Sequence, residues 1–193
     1  MADRVAMLYT PGRFNFQGGS TMRFRTIMSF AGSSVLALAV MASPVRSLAQ
    51  GGDTVLKPAD TQKLLPASVY YKAQSAPTQL RNSAGIKFAD GYYLLTTMVD
   101  TSGYSSDVAA KYQAYFITEV PLKFGSDNLP AGVYGVGFVA DKFVITDVGA
   151  HDVFSAETSS DDALKRPMPL QIMADPSGGF RLYAGRKYVK FVR

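Results

Sequence analysis

The chain has 193 residues, room for one domain and an extension, and its 47% hydrophobic and 18% charged content suits a packed core and argues against wholesale disorder. Its formal charge of +5 is concentrated near the amino terminus: residues 1–49 hold five basic residues and one acid, leaving 15 Lys and Arg against 14 Asp and Glu in 50–193, a net of +1 that gives little support for nucleic-acid binding. Cysteine and tryptophan are absent, which excludes disulfides, thiolate nucleophiles, cysteine zinc sites, lipid attachment at a processed cysteine and tryptophan platforms for sugars.

From Met22 the sequence has the three parts of a secretory signal. Arg23 and Arg25 form the charged start, and Ile27 to Ala42 is an apolar run interrupted only by small residues such as Gly32, Ser33 and Ser34. Ser47-Leu48-Ala49 fits the small-x-small cleavage pattern, so cleavage is expected between Ala49 and Gln50, with Val40-Met41-Ala42 as a second site. The apolar run is about 16 residues, short of the ~20 a membrane helix needs, so no stable transmembrane span is expected after cleavage; an uncleaved anchor is the alternative. Residues 1–21 match nothing and are expected to be a non-native upstream extension, with Met22 the natural start. The expected organisation is extension 1–21, signal 22–49, linker 50–65 and one domain 66–193. The expected location is the periplasm or the exterior.

The linker contains Gly51-Gly52, Pro58 and Pro66, with one short strand at Thr54 to Lys57. Ser68 to Ala73 predicts a strand, and Pro77 weakens a central strand over Gln74 to Asn82. Gly85 to Ala89 alternates, Asp90-Gly91 suits a hairpin turn, and Tyr92 to Val99 is a strong strand. Asp107 is placed to cap one helical turn through Ala110. Lys111 to Val120 is the next strand, ended by Pro121, and Leu122 to Phe124 continues toward a sheet edge. After the central stretch described below, His151 to Ala156 predicts a strand and Glu157 to Pro169 the longest surface loop, with a helical turn near Ala163. Leu170 to Ala174, Phe180 to Ala184 and Tyr188 to Val192 form a terminal meander. The pattern predicts an all-β domain, a single antiparallel β-sandwich or small β-barrel of about nine strands.

The centre of the chain is Leu129 to Gly149, two apolar runs split by a turn at Asp141-Lys142 or one residue wider. Alternation puts Tyr134, Val136 and Phe138 on one face and Gly135 and Gly137 on the other. Glycine weakens a strand unless something needs the space, so Gly132, Gly135 and Gly137 mark either a ligand-approach patch or a place covered by large neighbours. Leu129-Pro-Ala-Gly-Val-Tyr-Gly-Val-Gly-Phe138, with Arg181-Leu-Tyr-Ala-Gly-Arg186, resembles a pattern of small exported bacterial domains of unknown function. The resemblance implies an exported β-domain and brings no catalytic residues with it.

Tyr134, Gly135 and Gly137 with Tyr92 and Tyr93 are the candidate ligand-binding residues, because tyrosine rings on a sheet face can stack on sugars or lipid head groups. Arg181, Arg186, Lys187 and Lys190 on the terminal hairpin are a candidate patch for an anionic partner, or an edge kept soluble by charge. The single histidine, His151, is poor evidence for a metal site, which needs several ligands, and no Gly-x-Ser-x-Gly elbow accompanies it. Asp161-Asp162 is expected to be solvated, and Asp100 and Asp147 to cap turns. No catalytic residue, metal or cofactor is assigned. The leading expectation is a non-catalytic binding or interaction module of the bacterial envelope, taking a small molecule, lipid or envelope component and no nucleic acid. A carboxylate-dependent glycan hydrolase and a purely structural envelope protein are the alternatives.

Overall fold

The computed structural model describes residues 52–193. The leader, with Ala49 and Gln50, lies outside the described residues. The described chain is mostly β, with antiparallel sheets, none of them closed, and two short helices.

The larger sheet has the strand order β1 (Thr54–Leu56), β3 (Gln74–Lys87), β4 (Tyr93–Val99), β5 (Ala114–Thr118), β8 (Gly132–Val139), β9 (Lys142–Thr146) and β10 (Asp152–Glu157), with β2 (Ser68–Tyr71) paired to the start of β3. The smaller sheet runs β11 (Ser159–Ser160), β14 (Lys187–Phe191), β13 (Phe180–Gly185) and β12 (Met168–Ala174). A hairpin of β6 (Leu122–Phe124) and β7 (Asp127–Leu129) joins the latter through a bridge between Lys123 and Val192. The helices are α1 (Pro58–Thr61) and α2 (Ser106–Lys111).

Alternation along the strands explains where the core lies. Ile86, Leu94, Phe116, Val136 and Phe143 share one face of the larger sheet, and they pack with Leu170, Ile172, Leu182, Val189 and Phe191 of the smaller one. Leu122, Phe124 and Leu129 of the hairpin complete the same cluster. Its aromatic interior is continuous: the Phe124 ring centroid lies 5.7 Å from that of Phe143 and 5.5 Å from that of Phe191. The opposite face of the larger sheet is covered by a second cluster of Val69, Tyr71, Ala76, Val99 and Tyr112.

Several elements differ from the expectations. The described residues form fourteen strands, four of which, β1, β6, β7 and β11, have only two or three residues. β1 falls where the linker's short strand was expected, but residues 58–61 form α1, and Thr61 is buried with its hydroxyl 2.7 Å from that of Ser83. β3 runs straight through Pro77. The proline is tolerated because Thr78, not Pro77, donates to the β2 side (Ala67 O), while Pro77 faces Asp100, beyond the last residue of β4. The helix before β5 starts after Ser105, and Asp107 sits in its first turn and does not cap it. The segment near Ala163 is not helical and follows β11. The two hairpin turns follow the sequence closely. Val139 pairs with Lys142 across Ala140-Asp141, one residue earlier than Asp141-Lys142, and Gly91 takes a φ of 92° in the turn joining β3 and β4.

Candidate functional site

The glycine patch is filled from within the chain. A Cβ on Gly135 would lie 2.6 Å from Tyr112 Cδ2, 2.7 Å from Tyr71 Cε2 and 2.8 Å from Thr146 Oγ1. One on Gly137 would lie 2.7 Å from the carbonyl oxygens of Ala110 and Lys111, so the C-terminal end of α2 rests directly on the strand. The rings above Gly135 are stacked, Tyr71 on Tyr112 at 3.6 Å and 11° between planes, with Tyr104 edge-on to both. Thr146 Oγ1 donates to Gly135 O, so its single proton is used and Tyr71 must donate to Thr146 across 2.6 Å. The second possibility raised by the glycines, a place covered by large neighbours, is therefore what occupies this face.

Tyr112 is fully buried, and its hydroxyl has no hydrogen-bond partner among the described residues. Burial pushes the phenol above its ordinary value. A buried, unpartnered hydroxyl is a cost, so Tyr112→Phe is expected to leave stability unchanged or raise it, by up to about 1 kcal/mol. Urea unfolding measures this, and a loss larger than about 1 kcal/mol would show that the hydroxyl has a bonding role.

The other candidate tyrosines do not join this cluster. Tyr134 lies on β8 opposite Phe116 of β5, which pairs with Thr96 of β4. Tyr93 is an odd number of residues from Thr96, so its ring and that of Tyr134 emerge on opposite faces of the sheet. The Tyr134 hydroxyl donates to Pro130 O, Tyr93 lies under Lys87 Nζ at 5.9 Å, and Tyr92 is exposed at the β3–β4 turn. The tyrosines that meet around Gly135 are Tyr71, Tyr104 and Tyr112, brought together by β2, the loop before α2 and the end of α2. Their separation in sequence hid the relation.

The four cations of the terminal hairpin each have partners inside the protein. Arg181 pairs with Asp175 and lies 3.8 Å from Asp161. Its guanidinium also sits over the Tyr188 ring at 4.6 Å. Arg186 donates to the carbonyls of Asp162 and Leu164 at 2.9 and 2.7 Å, pinning the loop after β11. Lys187 reaches Ala140 O and Asp141, and Lys190 reaches Asp175 at 3.0 Å and Ser177 at 3.2 Å. The hub is Asp175, whose side chain is 1% exposed. Ser177, Arg181 and Lys190 all bond to it and hold its carboxyl well below the usual carboxylate range.

His151 Nδ1 lies 3.1 Å from Asp147 Oδ2, not against Asp152, and is mostly exposed. Asp147 Oδ1 also accepts from the Gly149 and His151 N–H groups, and Asp100 from that of Ser102, so both aspartates organise turns. Among the described residues no cluster of three or more His, Asp or Glu could hold a metal ion. No helix among them is long and apolar enough to cross a membrane.

The candidate cleft is elsewhere. It measures about 380 Å³ and opens between the end of β10 and the outer side of β14. Phe124 and Val189 form its floor, and Asp127, Ser155, Glu157 and Lys190 stand around it. Asp127 and Glu157 are exposed, and among the described residues neither has an ion-pair partner. No single stretch of sequence could have shown this site, because its walls come from three separate segments. A smaller hollow of about 150 Å³ lies beside Tyr71, between Lys72, Asp107, Val108, Lys111 and Ala150. Compared with known proteins, the chain matches no family model, no curated protein and no solved structure.

Proposed function

We propose that this chain is an exported β-sandwich that serves as a non-catalytic interaction module of the bacterial envelope and holds its partner in the cleft between β10 and β14. The single observation behind this reading is the cleft itself. It encloses about 380 Å³, and two carboxylates without cationic partners among the described residues border it. Phenylalanines fill the space between the sheets. A binding surface on this molecule is therefore sought at its edge and not in a closed interior. The reading moves the ligand site away from Tyr134, Gly135 and Gly137, where Tyr71, Tyr112 and α2 occupy the space a ligand would need.

Glycan hydrolysis by paired carboxylates is the competing reading, and Asp127 and Glu157 are the acids it would use. A hydrolase needs a carboxyl that stays protonated near neutral pH. The one acid buried among the described residues, Asp175, is held in the opposite state.

Two experiments test the proposal. N-terminal sequencing of the exported protein should begin at Gln50, or at Ser43 if the earlier site is used; an intact leader on protein retained inside the cell would overturn export. An NMR titration with oligosaccharides, anionic lipid micelles and extended peptides should shift Asp127, Ser155 and Glu157 first. Silence from every member, or shifts confined to other surfaces, would overturn the cleft. Release of shortened oligosaccharides would favour the hydrolase.

A further inference from the structure

We infer that the partner in the cleft is an extended, basic peptide segment that adds as a strand to the free edge of β10. This rests on the cleft being the binding site and goes further by naming its occupant. The argument begins with backbone polarity. Residues of an antiparallel strand turn their N–H and C=O groups alternately to the two sides. The Thr158 N–H donates to Asp141 O, continuing the register in which Ala156 faces Phe143 and Phe154 faces Ile145. Residues 154, 156 and 158 thus bond toward β9, and the backbone groups of Ser155 and Glu157 point outward. Both residues line the cleft.

The facing wall shows the same feature. Just past β14 the Val192 N–H and C=O both bond to Lys123, and within β14 Tyr188 pairs with Ser159 of β11. Lys190 lies between them with the same polarity. Its backbone groups also face away from β13 and into the gap that neither β11 nor β6 covers. Among the described residues, no turn, loop or side-chain hydrogen bond reaches the backbone of Ser155, Glu157 or Lys190. The cleft thus has unpaired strand backbone on both long sides, which is the recognition surface for an added strand and not for a sugar ring.

Three other strand edges are short or interrupted. β1 has three residues and β11 two. β12 contains Pro169 and a register break between Met168 and Gln171. β10 is irregular only between Asp152 and Phe154, and from Phe154 to Glu157 it is regular, with no proline and no lysine. Charge then selects the partner. Asp127 and Glu157 stand at the cleft without an ion-pair partner among the described residues, and Lys142, opposite Glu157 in the register, forms no ion pair with it. Lys190, the cation of the site, is already held by Asp175. Lysine or arginine side chains on alternate residues of an incoming strand meet these carboxylates.

The probe is a capped hexapeptide, acetyl-Lys-Val-Lys-Val-Lys-Val-amide, added to the purified chain. Strand addition should slow hydrogen exchange at the Ser155 and Glu157 amides by about tenfold or more, because they become hydrogen-bonded. The same peptide methylated on every backbone nitrogen keeps its side chains and charge but has no backbone N–H donors, and it should bind about tenfold or more weakly. Ser155→Pro removes an outward N–H that no fold hydrogen bond uses, so it should fold normally and weaken the peptide by about tenfold. Should that variant fail to fold, Glu157→Gln, which should weaken the peptide several-fold at low salt, and the methylated peptide keep the test intact. Equal binding of the two peptides, or unchanged exchange at Ser155 and Glu157 under saturating peptide, would overturn strand addition. A silent peptide beside an oligosaccharide or lipid that shifts the cleft residues would also overturn it while leaving the cleft as the site. Silence from all of them would remove both.

Discussion

Replacing Gly135 with alanine is expected to lower the unfolding free energy by about 3 kcal/mol, a Tm loss of roughly 6–12 °C for a domain of this size. The added methyl would meet three atoms at once, each closer than 3 Å, and none is the loose end of a flexible side chain. Tyr71 and Tyr112 are stacked on each other and wedged by Tyr104, and Thr146 is bonded to both Tyr71 and Gly135. Making room for one carbon therefore means opening the stack or pushing β8 out of register with β9. Gly52→Ala is the control, since nothing lies within 4 Å of its added carbon. Combining Gly135→Ala with Tyr112→Leu should cost clearly less than the two changes separately, because the shortened side chain vacates the space the methyl needs. Strictly additive losses in urea unfolding would mean that the contact at Gly135 is not what constrains the strand.

This glycine shows where sequence reasoning succeeds and where it stops. The alternation around Tyr134 to Phe138 put Val136 on one face and Gly135 and Gly137 on the other, and the structure has them so, with Val136 in the core between the sheets. Local pattern fixes which way a residue points. It does not say what arrives there. Tyr71 and Tyr112 come from 64 and 23 positions earlier in the chain, and nothing local marks them as neighbours of Gly135. The hairpin turns and the β character were legible because they depend on residues a few positions apart. The cleft was not, because Phe124 to Asp127, Ser155 to Glu157 and Val189-Lys190 meet only when the hairpin of β6 and β7 lodges beside the two sheets. The cations were legible as a cluster on the terminal hairpin. Asp175 was not singled out, since it follows a strand in a Pro-Ser-Gly-Gly turn and reads as ordinary turn chemistry.

That aspartate carries the other large effect. Asp175→Asn is expected to lower Tm at pH 7 on the order of 10 °C, since it removes one charge from a cluster in which every partner was placed for an anion. Asparagine fits the space but presents an amide that cannot accept on both sides from Ser177, Arg181 and Lys190. Arg181, whose side chain is only 21% exposed, would keep the more distant Asp161 as its sole acidic partner. Asp162→Asn is the matched control, because that exposed side chain accepts only from Ser160. The pH dependence follows from the depressed carboxyl. Folded Asp175 releases its proton below its ordinary value of 3.8, so its contribution to stability is complete above that value and is lost as pH falls through the lower, folded-state one. The gap in stability between the native chain and Asp175→Asn should therefore be constant from pH 7 to about pH 5 and narrow steadily below about pH 4. A gap that stays the same down to pH 2 would mean that the loss comes from altered packing in the turn. A gap that closes on acidification identifies the carboxylate charge as what ties Ser177, Arg181 and Lys190 together, and with them the Lys190 wall of the cleft.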